Sequence, residues 1–126
     1  MIFERRSPLT GEVVSRAVAM KASDIPAIAE RAQQAFTQWS TLGPNARRAI
    51  LMKAADALEA RQDQFVEAMV GEVGATAGWA MFNVMLAATH IREAAAVTTQ
   101  ICGEVIPSDV PGTIAMALRE PVGVLL

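Results

Sequence analysis

Val73-Gly74-Ala75-Thr76-Ala77-Gly78-Trp79-Ala80-Met81-Phe82-Asn83-Val84-Met85-Leu86-Ala87-Ala88-Thr89-His90-Ile91 is a run of 19 residues without one formal charge. That is close to the length that spans a bilayer. Gly74, Thr76, Gly78, Asn83, Thr89 and His90 interrupt it, and neither an aromatic belt nor a Lys/Arg cluster flanks it. The run therefore reads as a helix buried on most sides inside a larger soluble protein, not as a membrane span. Its helix is expected from about Thr76 to Cys102, after a Gly74 cap and before Gly103.

The surrounding chain predicts helices as well. Ser23 is the expected N-cap of a first helix, whose Ile25, Ile28, Ala29, Ala32, Phe36 and Trp39 share one face. Gly43-Pro44 closes that element and opens a second helix to about Arg61, with Ile50, Leu51, Ala54, Ala57 and Leu58 as its apolar stripe. A third helix covers Gln62 to about Val73. Before these, Phe3–Arg6 and Val13–Val18 flank the turn residues Pro8 and Gly11 and read as two short strands. After them, Glu104–Ile106 is a short extended piece and Thr113–Leu118 a strand candidate. Val122-Gly123-Val124-Leu125-Leu126 has the composition of a buried parallel strand. Such a strand is covered on both faces by other elements, so the chain is expected to be part of a larger protein.

Composition excludes several classes. The 126 residues suffice for a single domain. A hydrophobic fraction of 52% against 19% charged rules out a disordered tail. It also exceeds what a small free-standing domain needs, which points to further surface covering part of it. A net charge of −2 argues against nucleic-acid binding by backbone electrostatics. A charged opening, Glu4-Arg5-Arg6, is not a signal peptide. The single Cys102 forms no internal disulfide and fits a reducing cytoplasm.

No catalytic motif is present. The eight glycines give neither a dinucleotide fingerprint nor a phosphate-binding loop. His90 is the only histidine, so a histidine metal cluster is excluded, and it reads as a structural side chain. Cys102, expected at a helix C-terminus beside Glu104, sits where a thiolate is disfavoured and reads as a small packing residue. Asp56, Glu59, Asp63 and Glu67 read as a solvated face, and Arg5-Arg6 and Arg47-Arg48 as surface salt-bridge partners. Trp79, Phe82, Asn83 and Leu86 share a helix face at i, i+3, i+4, i+7. They are either core packing, which periodicity alone favours, or an apolar wall of a binding tunnel with Asn83 as its polar handle.

Taken in order, several segments resemble the aldehyde dehydrogenase family. Ser7-Pro8-Leu9-Thr10-Gly11-Glu12 is similar to its opening N-P-x-T-G-E, and Ala35-Phe36-x-x-Trp39 to its A-F-x-x-W. Arg47 to Arg61 resembles its R-x-x-L-L-x-K-x-A-D-x-L-E-x-R helix. Gly103-Glu104-Val105-Ile106-Pro107 and Arg119-Glu120-Pro121-Val122-Gly123-Val124 are similar to its G-x-x-x-P and R-x-P-x-G-V. Gly74-Ala75-Thr76 departs from the usual G-K-P and, with Trp79, Phe82 and Asn83, points to the subgroup acting on aromatic aldehydes such as salicylaldehyde.

The resemblance implies an α/β parent fold. Residues 1–112 would be the N-terminal helical part of the cofactor-binding domain, 113–120 part of the oligomerisation arm, and 121–126 the start of the first nucleotide-fold strand. It implies oxidation of an aromatic aldehyde to the acid with NAD or NADP, through a thiohemiacetal, hydride transfer and thioester hydrolysis. It also implies a homodimer or homotetramer in the cytoplasm. The family's oxyanion asparagine, general-base glutamate and nucleophilic cysteine all lie beyond residue 126. No catalytic, cofactor or metal residue is thus expected within this chain, which alone would be inactive. Trp79, Phe82, Asn83 and Leu86 are the expected substrate-tunnel residues. The competing reading is a small non-enzymatic helical protein that uses its apolar helix as a partner interface.

Overall fold

The computed structural model describes residues 2–125. Two antiparallel strands, β1 (Ile2–Arg6) and β2 (Val13–Val18), open the fold. Four helices follow: α1 (Ile25–Trp39), α2 (Pro44–Glu59), α3 (Gln62–Val73) and α4 (Ala77–Ala96). A second antiparallel pair, β3 (Glu104–Ile106) and β4 (Ala115–Ala117), comes last.

The β1–β2 turn is closed by Ser7, whose N–H donates to the Glu12 carbonyl at 2.9 Å. Its hydroxyl accepts from the Leu9 and Thr10 amides, and the side chain is buried. Glu4 of β1 faces Arg16 of β2 and pairs with it at 3.0 Å, an opposite-charge cross-strand pair that fixes register. Arg6 also binds Glu4, and Arg5 reaches Glu72 of α3 at 3.5 Å. The basic pair at residues 5 and 6 thus makes surface ion pairs, as expected. Arg47 does not: it donates to the Leu42 carbonyl at 3.0 Å and ties the α1–α2 link to α2.

Three boundaries differ from the sequence reading. Ser23 lies inside a short 3₁₀ turn, Ala22–Asp24, and the carboxylate of Asp24 accepts from the Lys21 amide at 2.8 Å. Helix α1 therefore starts one residue later than a Ser23 cap would give. Helix α4 ends at Ala96, and Val97–Gln100 tighten into a 3₁₀ turn. The β-branched run Val97-Thr98-Thr99 disfavours continuation, and the buried Thr98 hydroxyl donates back to the Ala95 carbonyl at 2.9 Å. Residues 122–125 form no strand, since β3 and β4 pair only with each other and offer them no hydrogen-bonding edge. Leu126, the last residue of that expected strand, lies outside the described residues.

The core sits between α2, α3 and α4. Ala55 of α2 and Ala80, Val84, Ala88 and Ala95 of α4 are its buried apolar residues. Methyl-sized contacts let two helices approach closely, about 8 Å between axes at the near end of the usual range. Two glycines serve the connections. Gly74 caps α3 at φ +69°, and a Cβ there would meet Pro8 Cγ at 3.2 Å and Leu9 Cγ at 3.3 Å. Gly103 enters β3 so close to β4 that a Cβ would lie 2.6 Å from the Ala117 carbonyl oxygen.

Two glycine substitutions should move stability in opposite directions. Gly74→Ala forces a left-handed alanine against the β1–β2 turn and should cost about 1–2 kcal/mol. Gly78→Ala, with nothing within 4 Å of the added methyl, should raise stability by about 0.5–1 kcal/mol through helix propensity. Chemical denaturation of the two variants beside the wild type reads both signs.

Candidate functional site: the outer face of α4

Thr76 caps α4, its hydroxyl accepting from the Trp79 amide at 3.3 Å. The helix then divides into two stripes. Ala80, Val84, Ala88 and Ala95 turn into the core. Trp79, Phe82, Met85 and Leu86 fall on the other side at helical spacing and stay open to solvent. Trp79 is 59% exposed, Phe82 49% and Leu86 37%. Within the described residues, core packing is therefore not what these side chains do. The short side chains at 80, 84 and 88 have taken that role and left the large apolar ones outside.

The Trp79 and Phe82 rings lie with centroids 5.4 Å apart and planes inclined by 31°. That spacing is within the favourable range for aromatic pairs. Asn83 Nδ2 donates to the Trp79 carbonyl at 2.8 Å, so the amide is held against the first turn of the helix. Trp79, Phe82, Asn83 and Leu86, the four residues singled out from sequence, thus share one region of one helix. Met85 extends the same exposed surface and was not foreseen, although its spacing from Phe82 placed it there.

Other residues behave differently from their sequence reading. Cys102 is exposed, not packed. With α4 ending at Ala96, it belongs to the link into β3 and not to a helix terminus. His90 is also exposed. Asp56 and Glu59 are not merely solvated: Arg92 of α4 clasps both, at 2.9 Å to Asp56 Oδ1 and 2.7 Å to Glu59 Oε2. The Arg92 hydrogen bond holds the Glu59 carboxyl below its ordinary value, and the two carboxylates push the Arg92 guanidinium up. The clasp ties α2 to α4. A separate cavity of about 620 Å³ lies between α1, α2 and the tail. Phe36, Trp39, Leu42, Ile50 and Val124 line it without an ionisable side chain, so it holds no acid–base chemistry.

All 126 residues match the family model described as Aldehyde dehydrogenase family. The chain belongs to the aldehyde dehydrogenase family. It is 59% identical over 124 residues to a vanillin dehydrogenase of Pseudomonas fluorescens, covering 98% of this chain and 26% of that protein. It is 44% identical over 124 residues to a salicylaldehyde dehydrogenase of Pseudomonas putida, with the same coverage. A crystal structure of a salicylaldehyde dehydrogenase from Pseudomonas putida complexed with salicylaldehyde superposes with a TM-score of 0.93. That match has 44% identity and covers 98% of this chain and 25% of that one. The chain thus spans about a quarter of the length of the curated relatives it matches.

Members of this family are generally oligomeric, act on aldehydes and use NAD(P). A dinucleotide needs a glycine-rich turn between a strand and a helix N-terminus to approach its phosphates. The described residues offer none: the only strand-to-helix link, from β2 to α1, contains no glycine. Among the described residues no helix is long and apolar enough to cross a membrane.

The Arg92 clasp gives a pH-dependent outcome. A carboxyl held low in the folded state contributes stability that is complete above its ordinary value of 4.5 and lost as pH falls through the depressed one. Arg92→Met should lower Tm at neutral pH, and its deficit against the wild type should shrink as pH drops below about 4. Added salt should shrink it too, since the pair is partly exposed. Thermal melts across pH and ionic strength check both trends.

Proposed function

We propose that this chain forms the N-terminal quarter of an NAD(P)-dependent aldehyde dehydrogenase that oxidises an aromatic aldehyde to its carboxylic acid. The observation that carries the reading is the outer face of α4. Two aromatic rings 5.4 Å apart, flanked by Leu86 and Asn83, are presented away from the chain's own core. A flat aromatic substrate gains from such a surface by ring–ring contact, which a short aliphatic aldehyde cannot make. Trp79, Phe82, Asn83 and Leu86 are on this reading one wall of the substrate tunnel. The relatives named above for vanillin and for salicylaldehyde support the same substrate class.

On the same reading, residues 1–112 belong to the helical part of the cofactor-binding domain, and 121–126 begin its first nucleotide-fold strand. Residues 113–120 contribute to an oligomerisation arm. Ile114, Met116 and Leu118 are exposed around β4, which suits a ribbon that associates into a homodimer or homotetramer. The reacting groups and the dinucleotide cradle would come from other parts of the enzyme, so residues 1–126 alone should be inactive. An exposed free thiol at Cys102 suits a reducing cytoplasm.

Trp79→Ala in the intact enzyme tests the wall. It should lower kcat/KM for salicylaldehyde and vanillin by about three- to tenfold, the equivalent of one aromatic contact. It should lower kcat/KM for a short aliphatic aldehyde less. Equal losses on both substrate types, with a lowered Tm, would sink the reading and make Trp79 a packing residue.

A further inference from the structure

Resting on the reading of α4 as a substrate wall, we infer that the Asn83 carboxamide oxygen accepts a hydrogen bond from a ring hydroxyl of the aldehyde. This side chain then selects hydroxylated aromatic aldehydes over the unsubstituted ring. The amide's orientation is fixed by chemistry. Its partner at 2.8 Å is the Trp79 carbonyl, which can only accept, so the –NH₂ end must face it. The oxygen is thereby turned from that contact, and among the described residues no protein donor reaches it.

Position gives the oxygen its use. Asn83 directly follows Phe82 and lies one turn after Trp79, so a ring resting on those two side chains has the amide at its edge. Asn83 is half-buried, at the border between the exposed aromatic stripe and the buried Ala80 and Val84. An acceptor at such a border loses water when a flat ring covers the wall. A ring that brings an O–H replaces that water bond, whereas a bare ring leaves the oxygen unpaired. Salicylaldehyde and vanillin each carry a phenolic hydroxyl, and benzaldehyde carries none. The bond to Trp79 also ties the amide to the turn that presents the indole, so little side-chain freedom remains to be lost on binding.

The test compares 2-, 3- and 4-hydroxybenzaldehyde with benzaldehyde in the intact enzyme, at a pH that keeps the ring hydroxyl protonated. The quantity read is the ratio of kcat/KM for each isomer to that for benzaldehyde, which does not depend on the amount of folded enzyme. In Asn83→Leu the ratio for the preferred isomer should fall by about three- to tenfold, the fold-change of one neutral hydrogen bond. The methoxybenzaldehydes, whose ring oxygen carries no proton to donate, should keep their ratio to benzaldehyde in Asn83→Leu. Ratios unchanged in Asn83→Leu for all three isomers would overturn the inference, even if absolute rates dropped. A ratio for the methoxy isomers that falls as far as that for the hydroxy isomers would overturn the assignment to the oxygen. Trp79→Ala assayed in parallel separates the two failures. If it spares aromatic selectivity, the wall itself is wrong. If it abolishes that selectivity while Asn83→Leu leaves the hydroxyl ratio alone, only the acceptor is wrong.

Discussion

Ala55 on α2 and Ala80, Ala88 and Ala95 on α4 lose all contact with solvent. A methyl group is the largest side chain that two helices can place face to face at their closest approach, and this constraint organises the rest of the molecule. Once α4 commits its small-residue stripe to α2 and α3, its large apolar residues must project the other way. Replacing an alanine here with a larger residue would push the helices apart and strain the Arg92 clasp that spans them. The exposed aromatic face of α4 is thus a consequence of alanine packing and not a separate device.

The same constraint accounts for the unusual balance of the composition. Among the described residues, four of the five buried apolar ones are alanines, which contribute little hydrophobic free energy each. Trp79, Phe82, Met85, Ile101, Ile114, Leu118 and Val122 remain exposed. Helix α1 has no buried residue although Ile28, Ala32 and Phe36 recur on one face. A hydrophobic fraction of 52% is therefore spent largely on surfaces that face away from the local core. Such faces are where a multi-element α/β fold places its next layer, in keeping with a chain that spans about a quarter of its relatives.

Local signals made most of the fold legible in the sequence. Gly74 as a left-handed cap, Pro44 at a helix start and the turn between β1 and β2 each depend on residues a few positions apart. The ordered motifs carried the family. What escaped was decided by residues distant in sequence or by competition between weak local preferences. Arg92 meets Glu59 across 33 positions, so no window over α2 could separate Asp56 and Glu59 from an ordinary solvated face. Cys102 moved from a helix end to an exposed link because Val97, Thr98 and Thr99 stop α4 early. Of the candidate site, the four residues and their shared helix were legible from spacing. Which stripe faces the core was not, because periodicity ranks Trp79, Phe82 and Leu86 above alanines as core residues. Only the facing alanine on α2 reverses that order.

The placement of Asn83 follows from the same division of α4. Position 83 falls between the two stripes, where an apolar side chain would belong fully to neither and a charged one would be partly desolvated. An amide suits the border because one end can satisfy the helix backbone while the other stays available. Its bond to the Trp79 carbonyl costs that carbonyl nothing, since a backbone oxygen has two lone pairs and the helix ladder uses one. The indole, the phenyl ring and the free amide oxygen are then carried on a single turn of a helix whose far side is locked by close packing and by Arg92. Rigidity at that turn fixes the placement of the two rings and the amide oxygen relative to one another.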